Sequence, residues 1–454
     1  MHLNAGDTAW VLAATALVLI MTPGLAFFYG GMVRSKSVLN MMMMSFVTIG
    51  IVSILWVIYG FAEAFGDGTS SFVGIIGWSH LGDNVNTLAT NGAVLTIPVL
   101  VFAAFQLMFA VITPALISGA IADRAKILTW GVFVALWVTI VYFPVAHWVF
   151  DFGGKTATGA GWLAARGVED FAGGSAVHIN AGAAGLALCI VLGRRVGWKR
   201  DPMRPHNLPL VLIGSGLLWF GWFGFNAGSA LAANGTAALA FMNTQVATAA
   251  ALIGWIAVEK VRDGRPTTLG AASGAVAGLV AITPACAFIL PWAAVLLGLV
   301  AGAICALAVG LKWRLGFDDS LDVVGVHMFG GIVGCLFIGF FGNAKMLGAD
   351  GLFYGGGTAL LGHQALGAFS VLGYSFGVTL VLGFLLNKTL GFRVTSDAEV
   401  EGIDLSEHAE TAYDWGSIGG ALSGKTGALA LSGHVPGGSP VDAGPSTAEQ
   451  EVNA

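Results

Sequence analysis

Long apolar runs separated by short polar loops organise this chain. Stretches of membrane-spanning length, about 17–25 residues, fall at 9–31, 43–64, 94–118, 127–150, 176–193, 209–230, 240–259, 268–288, 290–311, 322–342 and 363–388. The pair around 268–311 is divided only by Leu290-Pro291-Trp292, the weakest of these boundaries. The pattern predicts an all-α polytopic membrane protein with eleven transmembrane helices. The first eight residues hold Asp7 but no Lys or Arg. They lack the basic region of a secretory signal, so 9–31 reads as a retained first span.

Basic residues orient the spans. With the N-terminus outside, the inward loops carry Arg34 and Lys36, Arg124 and Lys126, and the run Arg194, Arg195, Lys199, Arg200 and Arg204. Further along they carry Lys260, Arg262 and Arg265, then Lys312 and Arg314, then Lys388 and Arg393. The outward loops hold only Lys155, Arg166 and Lys345. Positive charge favours the cytoplasmic side, which predicts an outside N-terminus and a cytoplasmic C-terminus.

The halves echo each other. Val111-Ile112-Thr113-Pro114-Ala115 in the third stretch returns as Ala281-Ile282-Thr283-Pro284-Ala285 in the eighth, and His178 in the fifth is matched by His327 in the tenth. Partners five spans apart face opposite ways across a bilayer, so the expectation is an inverted 5+5 repeat, 9–193 and 209–342, plus a final helix at 363–388. Inverted repeats place the substrate site near the midplane between the halves. After the membrane domain, 1–390, residues 391–415 are acidic and read as a structured cytosolic region. Residues 416–454, dominated by Gly, Ser, Ala and Pro, read as disordered.

Composition agrees with the pattern. The 454 residues are 56% hydrophobic and 10% charged, against about 25% charged in soluble domains. The 67 glycines suit helices that approach closely in lipid. Cys189, Cys286, Cys305 and Cys335 all fall in apolar stretches without paired spacing, so neither a disulfide framework nor a metal site is expected. The run Met41 to Met44 reads as helix filler rather than a soft-metal site. No cofactor and no nucleic-acid partner are expected.

Candidate chemistry centres on the two histidines. Ionisable groups inside membrane segments are costly and mark function by default. His178 follows Asp170 by eight residues, about 12 Å along a helix, and His327 follows Asp322 by five, about 7–8 Å. Entering from opposite faces, the two meet near the centre of the bilayer. Neutral imidazoles there each offer one donor and one acceptor, which suits a small polar molecule passed between hydrogen bonds. The competing reading of either histidine is a satisfied packing contact; the matched pair favours function. Asp170 also reads as a helix-start cap. Phe105 and Phe109, Phe150, and Trp222, Phe225 and Ser229 lie where an outer vestibule belongs, and aromatic faces attract desolvated cations. By count alone these rings read more readily as lipid-facing or core residues than as a cation site.

Three segments carry a resemblance: Asp170-Phe-Ala-Gly-Gly-Ser-Ala-Val-His178-Ile-Asn-Ala, Gly221-Trp-Phe-Gly-Phe-Asn-Ala-Gly-Ser229 and Asp322-Val-Val-Gly-Val-His327. They resemble the signatures of the Amt ammonium transporters, relatives of the Rh proteins, over residues 9 to about 415. The resemblance implies a transporter rather than an enzyme: a homotrimer in the cell (inner) membrane with one pore per protomer. It implies ammonium or ammonia as substrate, methylammonium as analogue, and a PII-type signal protein docking on the cytoplasmic face. Position by position, it assigns Phe109, Phe150, Ser229 and Asp170 to outer recruitment and Phe105 with Phe225 to a stacked phenyl gate. His178, His327, Trp222 and Thr283 fall to the pore, with Tyr142 and Gln106 near the mouth. The family typically has tryptophan where Phe150 stands; phenylalanine is a weaker cation–π partner and donates no N–H. Trp148 takes that place only if the helix register shifts. The expected mechanism is deprotonation at the mouth and passage of ammonia along the histidines, with the proton following separately or staying outside. Two other classes stay open: a membrane haem protein using the histidines as axial ligands, and an ammonium sensor signalling through its tail.

Overall fold

A computed structural model describes residues 2–413 except 69, 84 and 155–159. The tail expected to be disordered, 416–454, lies outside the described residues. The described chain is predominantly helical. Ten helices are long and apolar enough to cross a membrane: α1 Ala5–Met32, α2 Val38–Phe65, α3 Val99–Ile121, α4 Ile127–Phe150, α5 Gly174–Leu192, α6 Leu208–Gly228, α7 Gly235–Asp263, α9 Pro291–Leu315, α10 Val324–Phe341 and α11 Ala359–Thr389. Between α7 and α9 lies a shorter apolar helix, α8 Thr268–Ile282. Large side chains such as Ile54, Phe220, Phe369 and Val381 are more than half exposed on these helices. That is what lipid, rather than water, tolerates around a bundle. The chain is a multi-pass membrane protein.

Helix contact is built on missing side chains. A Cβ on Gly214 of α6 would lie 2.2 Å from the Phe28 amide nitrogen of α1, and one on Gly302 of α9 would lie 2.1 Å from the Ala251 oxygen of α7. Without a hydrophobic drive between helices in lipid, such close backbone approach supplies the packing energy.

The third apolar stretch does not begin where its hydropathy does. Residues Ala93–Pro98 form strand β2, antiparallel to β1, Leu88–Asn91, in the only sheet among the described residues. Gly92 turns the hairpin at φ +71°, and Pro98 then starts α3. An unbroken apolar run hides this change because strand and helix segments bury the same residue types. Thr96 Oγ1 donates to Asp7 at 2.6 Å and Asp7 accepts from the Ala233 amide at 2.9 Å, tying the hairpin to the start of α1 and the loop after α6.

The basic loops after α1, α3 and α5 converge. Arg195 grips Asp318 through Nε and Nη2, both at 2.9 Å, and reaches Asp123 at 3.1 Å, where Arg34 also approaches. Burial works to raise the Asp318 carboxyl, yet the hydrogen bonds and charges of Arg195 and Arg124 hold it below its ordinary value. Residues 391–413 pack on the same loops through two short helices, α12 Ser396–Glu401 and α13 Ile403–His408. Asp404 accepts from the Leu39 and Asn40 amides at 3.0 and 2.9 Å, so the start of α2 is capped by a carboxylate 365 residues downstream of Leu39. Glu399 likewise accepts from Val196 at 2.6 Å and Arg393 at 2.8 Å.

Candidate functional site

Each histidine helix begins on a carboxylate. Asp170 Oδ1 accepts from the amides of Gly173 and Gly174 at 2.9 and 2.6 Å. Its Oδ2 accepts from the Ser175 amide at 2.7 Å and the Ser175 hydroxyl at 2.6 Å. Gly173 sits at φ +116° to make that turn. The other half repeats the device with Asp319, whose oxygens accept from Val323 at 3.1 Å and Val324 at 2.7 Å. Asp170 precedes His178 by eight residues and Asp319 precedes His327 by eight. The capping carboxylate of the second half is therefore Asp319, and not Asp322, the acid that the sequence reading set beside His327. Burial pushes the Asp319 carboxyl up, against the pull of Lys312. Asp322, at φ +64°, instead forms an ion pair with Lys312 at 2.6 Å.

Asp170 thus caps its own helix, as its place at the helix start suggested. Asp170→Ala strands at least three amides inside the protein, each costing roughly 1–3 kcal/mol. The variant is expected to unfold several degrees lower in a detergent melt, with little folded protein recovered from the membrane; a wild-type melt would disprove the capping role.

Both histidines lie in single π-helical turns, Gly174–Ile179 and Val324–Met328, that open into α5 and α10. Such turns are frequent at functional sites, and nothing in the apolar pattern announces them. The side chains are 1% and 3% exposed, and the two Nδ1 atoms lie 3.4 Å apart. Only one of two facing nitrogens can hold the shared proton, so the rings take opposite tautomers and their Nε2 atoms differ, one a donor and one an acceptor. His178 Nε2 has no partner within the protein. The ring of His178 stacks on Trp222 at 5.3 Å, on Phe225 at 6.0 Å and on His327 at 5.4 Å.

These rings border a narrow passage. A cavity between Phe225, Trp222, His178 and His327 is walled by Leu25 and Leu218 and leaves about 10 Å³ for the centre of a water-sized sphere. That is near the lower limit for one water molecule, roughly 10–15 Å³. A second cavity of the same size continues past His327 to Val326 and Asp322. Neither has room for a porphyrin. Trp222 Nε1 donates to Thr283 Oγ1 at 2.8 Å, and Thr283 in turn donates to the Leu279 oxygen at 2.7 Å. Thr283 thus fixes the tryptophan wall of the passage.

At the Asp170 end, Phe109 lies on Phe225 with ring centroids 4.3 Å apart. Phe105 packs edge-on against Phe109 at 4.9 Å and beside Gly228. Among the described residues the ring lying against Phe225 is thus Phe109, with the two planes tilted by 44°, while Phe105 touches Phe109. One helical turn separates the two candidates, and sequence spacing gives both the same face. Ser229 donates to the Phe225 oxygen at 2.8 Å and remains partly exposed. Phe150 is buried with its ring beside Gly173 and makes no ring contact with Phe109 or Phe225 among the described residues.

Trp148 does not take the place of Phe150. Its Nε1 donates to the Phe72 oxygen at 2.8 Å and its ring packs on Tyr374 at 4.8 Å. One residue earlier, His147 faces only acceptors: Asp151 and the Ala64 and Ser70 oxygens, each at 3.1 Å. It straps the loop after α2 to the end of α4. Neither Lys312 nor Asp319 was singled out from the sequence; the eight-residue spacing shared with Asp170 was the available signal for Asp319.

Comparison with known proteins agrees with this geometry. The sequence profile of the Ammonium Transporter Family matches residues 9–413. An ammonium transporter from Mycobacterium bovis is 55% identical over 440 residues, covering 92% of each chain. The crystal structure of Saccharomyces cerevisiae Mep2 superposes with a TM-score of 0.78 at 34% identity, covering 87% of this chain and 89% of that one. A solved sensor Amt protein superposes with a TM-score of 0.80 at 29% identity, covering 89% and 98%. With a profile spanning nearly all of the described residues and a relative more than half identical, the chain belongs to the ammonium transporter family.

Proposed function

We propose that this protein is a transporter, not an enzyme, and that it carries ammonium nitrogen across the cell (inner) membrane as ammonia. The carrying observation is the buried histidine pair, with one ring nitrogen unpartnered, in a passage one small molecule wide. Moving a bare ammonium ion into such surroundings costs an idealised 20 kcal/mol or so. Ammonia carries no charge and needs only hydrogen bonds, which His178 and His327 supply. Ammonium collects at the mouth formed by Phe109, Phe150 and Ser229, beside the fixed charge of Asp170. It gives up its proton there, passes the Phe109–Phe225 gate as ammonia, and is reprotonated in water on the far side. The released proton either stays outside or crosses along the histidines, which makes transport electrogenic.

The same reading extends to architecture. Eleven spans, with α8 as the eighth, form two inverted halves of five plus α11. The paired caps Asp170 and Asp319 and the paired π-turns support it. The cluster of basic loops around Arg195 favours a cytoplasmic location for that end, with the N-terminus outside. Residues 1–390 form the membrane domain and 391–415 a cytosolic region. A homotrimer with a PII-type protein docking on the cytoplasmic face completes the assembly.

Purified protein on solid-supported membranes should give currents or uptake with ammonium and methylammonium and none with potassium, which has no proton to lose. Robust potassium current would overturn the scheme. Rescue of growth on low ammonium in a strain without other ammonium transporters separates transport from a sensor role. Phe150→Trp, which adds a stronger cation–π face and an N–H, is expected to lower half-saturating ammonium by roughly 3- to 10-fold, from about 1 kcal/mol of added cation attraction. An unchanged value would exclude Phe150 from recruitment.

A further inference from the structure

The two ends of the passage differ in charge. Asp170 and Asp319 are counterparts, each spent on the first amides of its own histidine helix. The Asp319 end holds one acid more: Asp322, which lines the cavity containing His327 and whose side chain is 33% exposed. That acid is already neutralised. Lys312, on the last turn of α9, places its ammonium 2.6 Å from Asp322 Oδ1 and 2.9 Å from the Asp319 carbonyl oxygen. The lysine side chain is 11% exposed, so water screens the pair weakly. The neighbouring ionic groups do not offset it, because Arg195, Asp318, Asp123 and Arg34 pair with one another. Asp170 by contrast accepts, among the described residues, only from amides and the Ser175 hydroxyl. A cation reaching the Asp170 end meets a capping carboxylate with no cationic side chain paired to it among the described residues; one reaching the other end meets a carboxylate that Lys312 has masked.

We propose that Lys312 is a specificity-determining residue that makes ammonium capture asymmetric, by cancelling the charge of Asp322 at the cytoplasmic mouth. This rests on the transport reading above. In a passive path the lysine does not alter the equilibrium gradient. It sets how readily each mouth concentrates ammonium, and so the half-saturating concentration on each side.

The test compares inward and outward ammonium flux in proteoliposomes of one orientation. Lys312→Gln is expected to lower half-saturating ammonium on the cytoplasmic side by roughly 3- to 10-fold, the scale of one unit charge acting through about 10 Å of partly screened protein. The external value stays unchanged, and Lys312→Arg behaves as wild type. Asp322→Asn, which leaves the lysine unmatched, should raise the cytoplasmic value by a similar factor. The double variant Lys312→Gln with Asp322→Asn should return to the wild-type ratio. Equal changes in both directions, as from a purely structural role at the end of α9, would overturn the proposal. So would an unchanged ratio in either Lys312→Gln or Asp322→Asn, which keeps the test decisive if one variant does not fold. Absence of ammonium flux in the wild type would instead refute the transport reading itself.

Discussion

Replacing His178 with phenylalanine is expected to reduce ammonium flux about 5- to 150-fold while the protein stays folded. The substituted ring retains the bulk that fills the stack between Trp222, Phe225 and His327, at centroid separations of 5.3, 6.0 and 5.4 Å. Aromatic neighbours accept such an exchange with little repacking. What is lost is chemistry. The Nε2 atom that faces no protein partner disappears, and so does the partner of His327 Nδ1. Ammonia crossing the narrowest point then leaves hydrogen bonds unmade, at roughly 1–3 kcal/mol each, or about 5- to 150-fold in rate. Methylammonium uptake by proteoliposomes, with a detergent melt as the folding control, measures it. Flux within twofold of wild type would mean that the histidine is packing and nothing more.

A single methyl group at Gly182 is expected to do comparable damage through packing alone. Gly182 lies four residues after His178, and Gly331 lies four after His327. A Cβ on Gly182 would sit 2.5 Å from the Met328 amide nitrogen, in the turn next to His327. One on Gly331 would sit 2.7 Å from the Gly174 oxygen, at the start of the His178 turn. Each histidine helix thus uses a glycine one turn past its histidine to admit the backbone of the other. Alanine at 182 meets backbone, which cannot swing aside as a side-chain tip can. The helices must part, which costs roughly 1–3 kcal/mol of overpacking and stretches the 3.4 Å contact between the Nδ1 atoms. Gly182→Ala should melt at a lower temperature and lose most of its flux. Gly216→Ala, on α6 with nothing within 4 Å of the added carbon, should do neither. Equal behaviour of the two variants would show that the close approach carries no strain.

Much of this architecture is legible in one dimension because the bilayer imposes a rule on composition. Every span must satisfy its backbone internally and show lipid an apolar surface, so hydropathy alone places ten long helices and α8 within a few residues. Two costly histidines stand out for the same reason. The all-α expectation missed the hairpin at Leu88–Pro98, since its second strand continues the apolar run into α3. The site was legible as a set of residues and not as a set of pairs. Which of Phe105 and Phe109 lies on Phe225 depends on helix rotation, and which acid caps the His327 helix depends on the backbone turn just before it.

What the amino-acid order determined by itself is therefore the class of protein, the places of the long apolar helices, and the two histidines. These follow from local burial and from where charge tolerates the membrane. What only the tertiary structure decided is the facing of the two Nδ1 atoms, the π-turns that carry both rings, the paired caps of Asp170 and Asp319, and the ion pair of Lys312 with Asp322. The caps and turns are set by local backbone geometry, the histidine contact by how closely glycine-faced helices approach, and no period in the sequence encodes a distance between two helices.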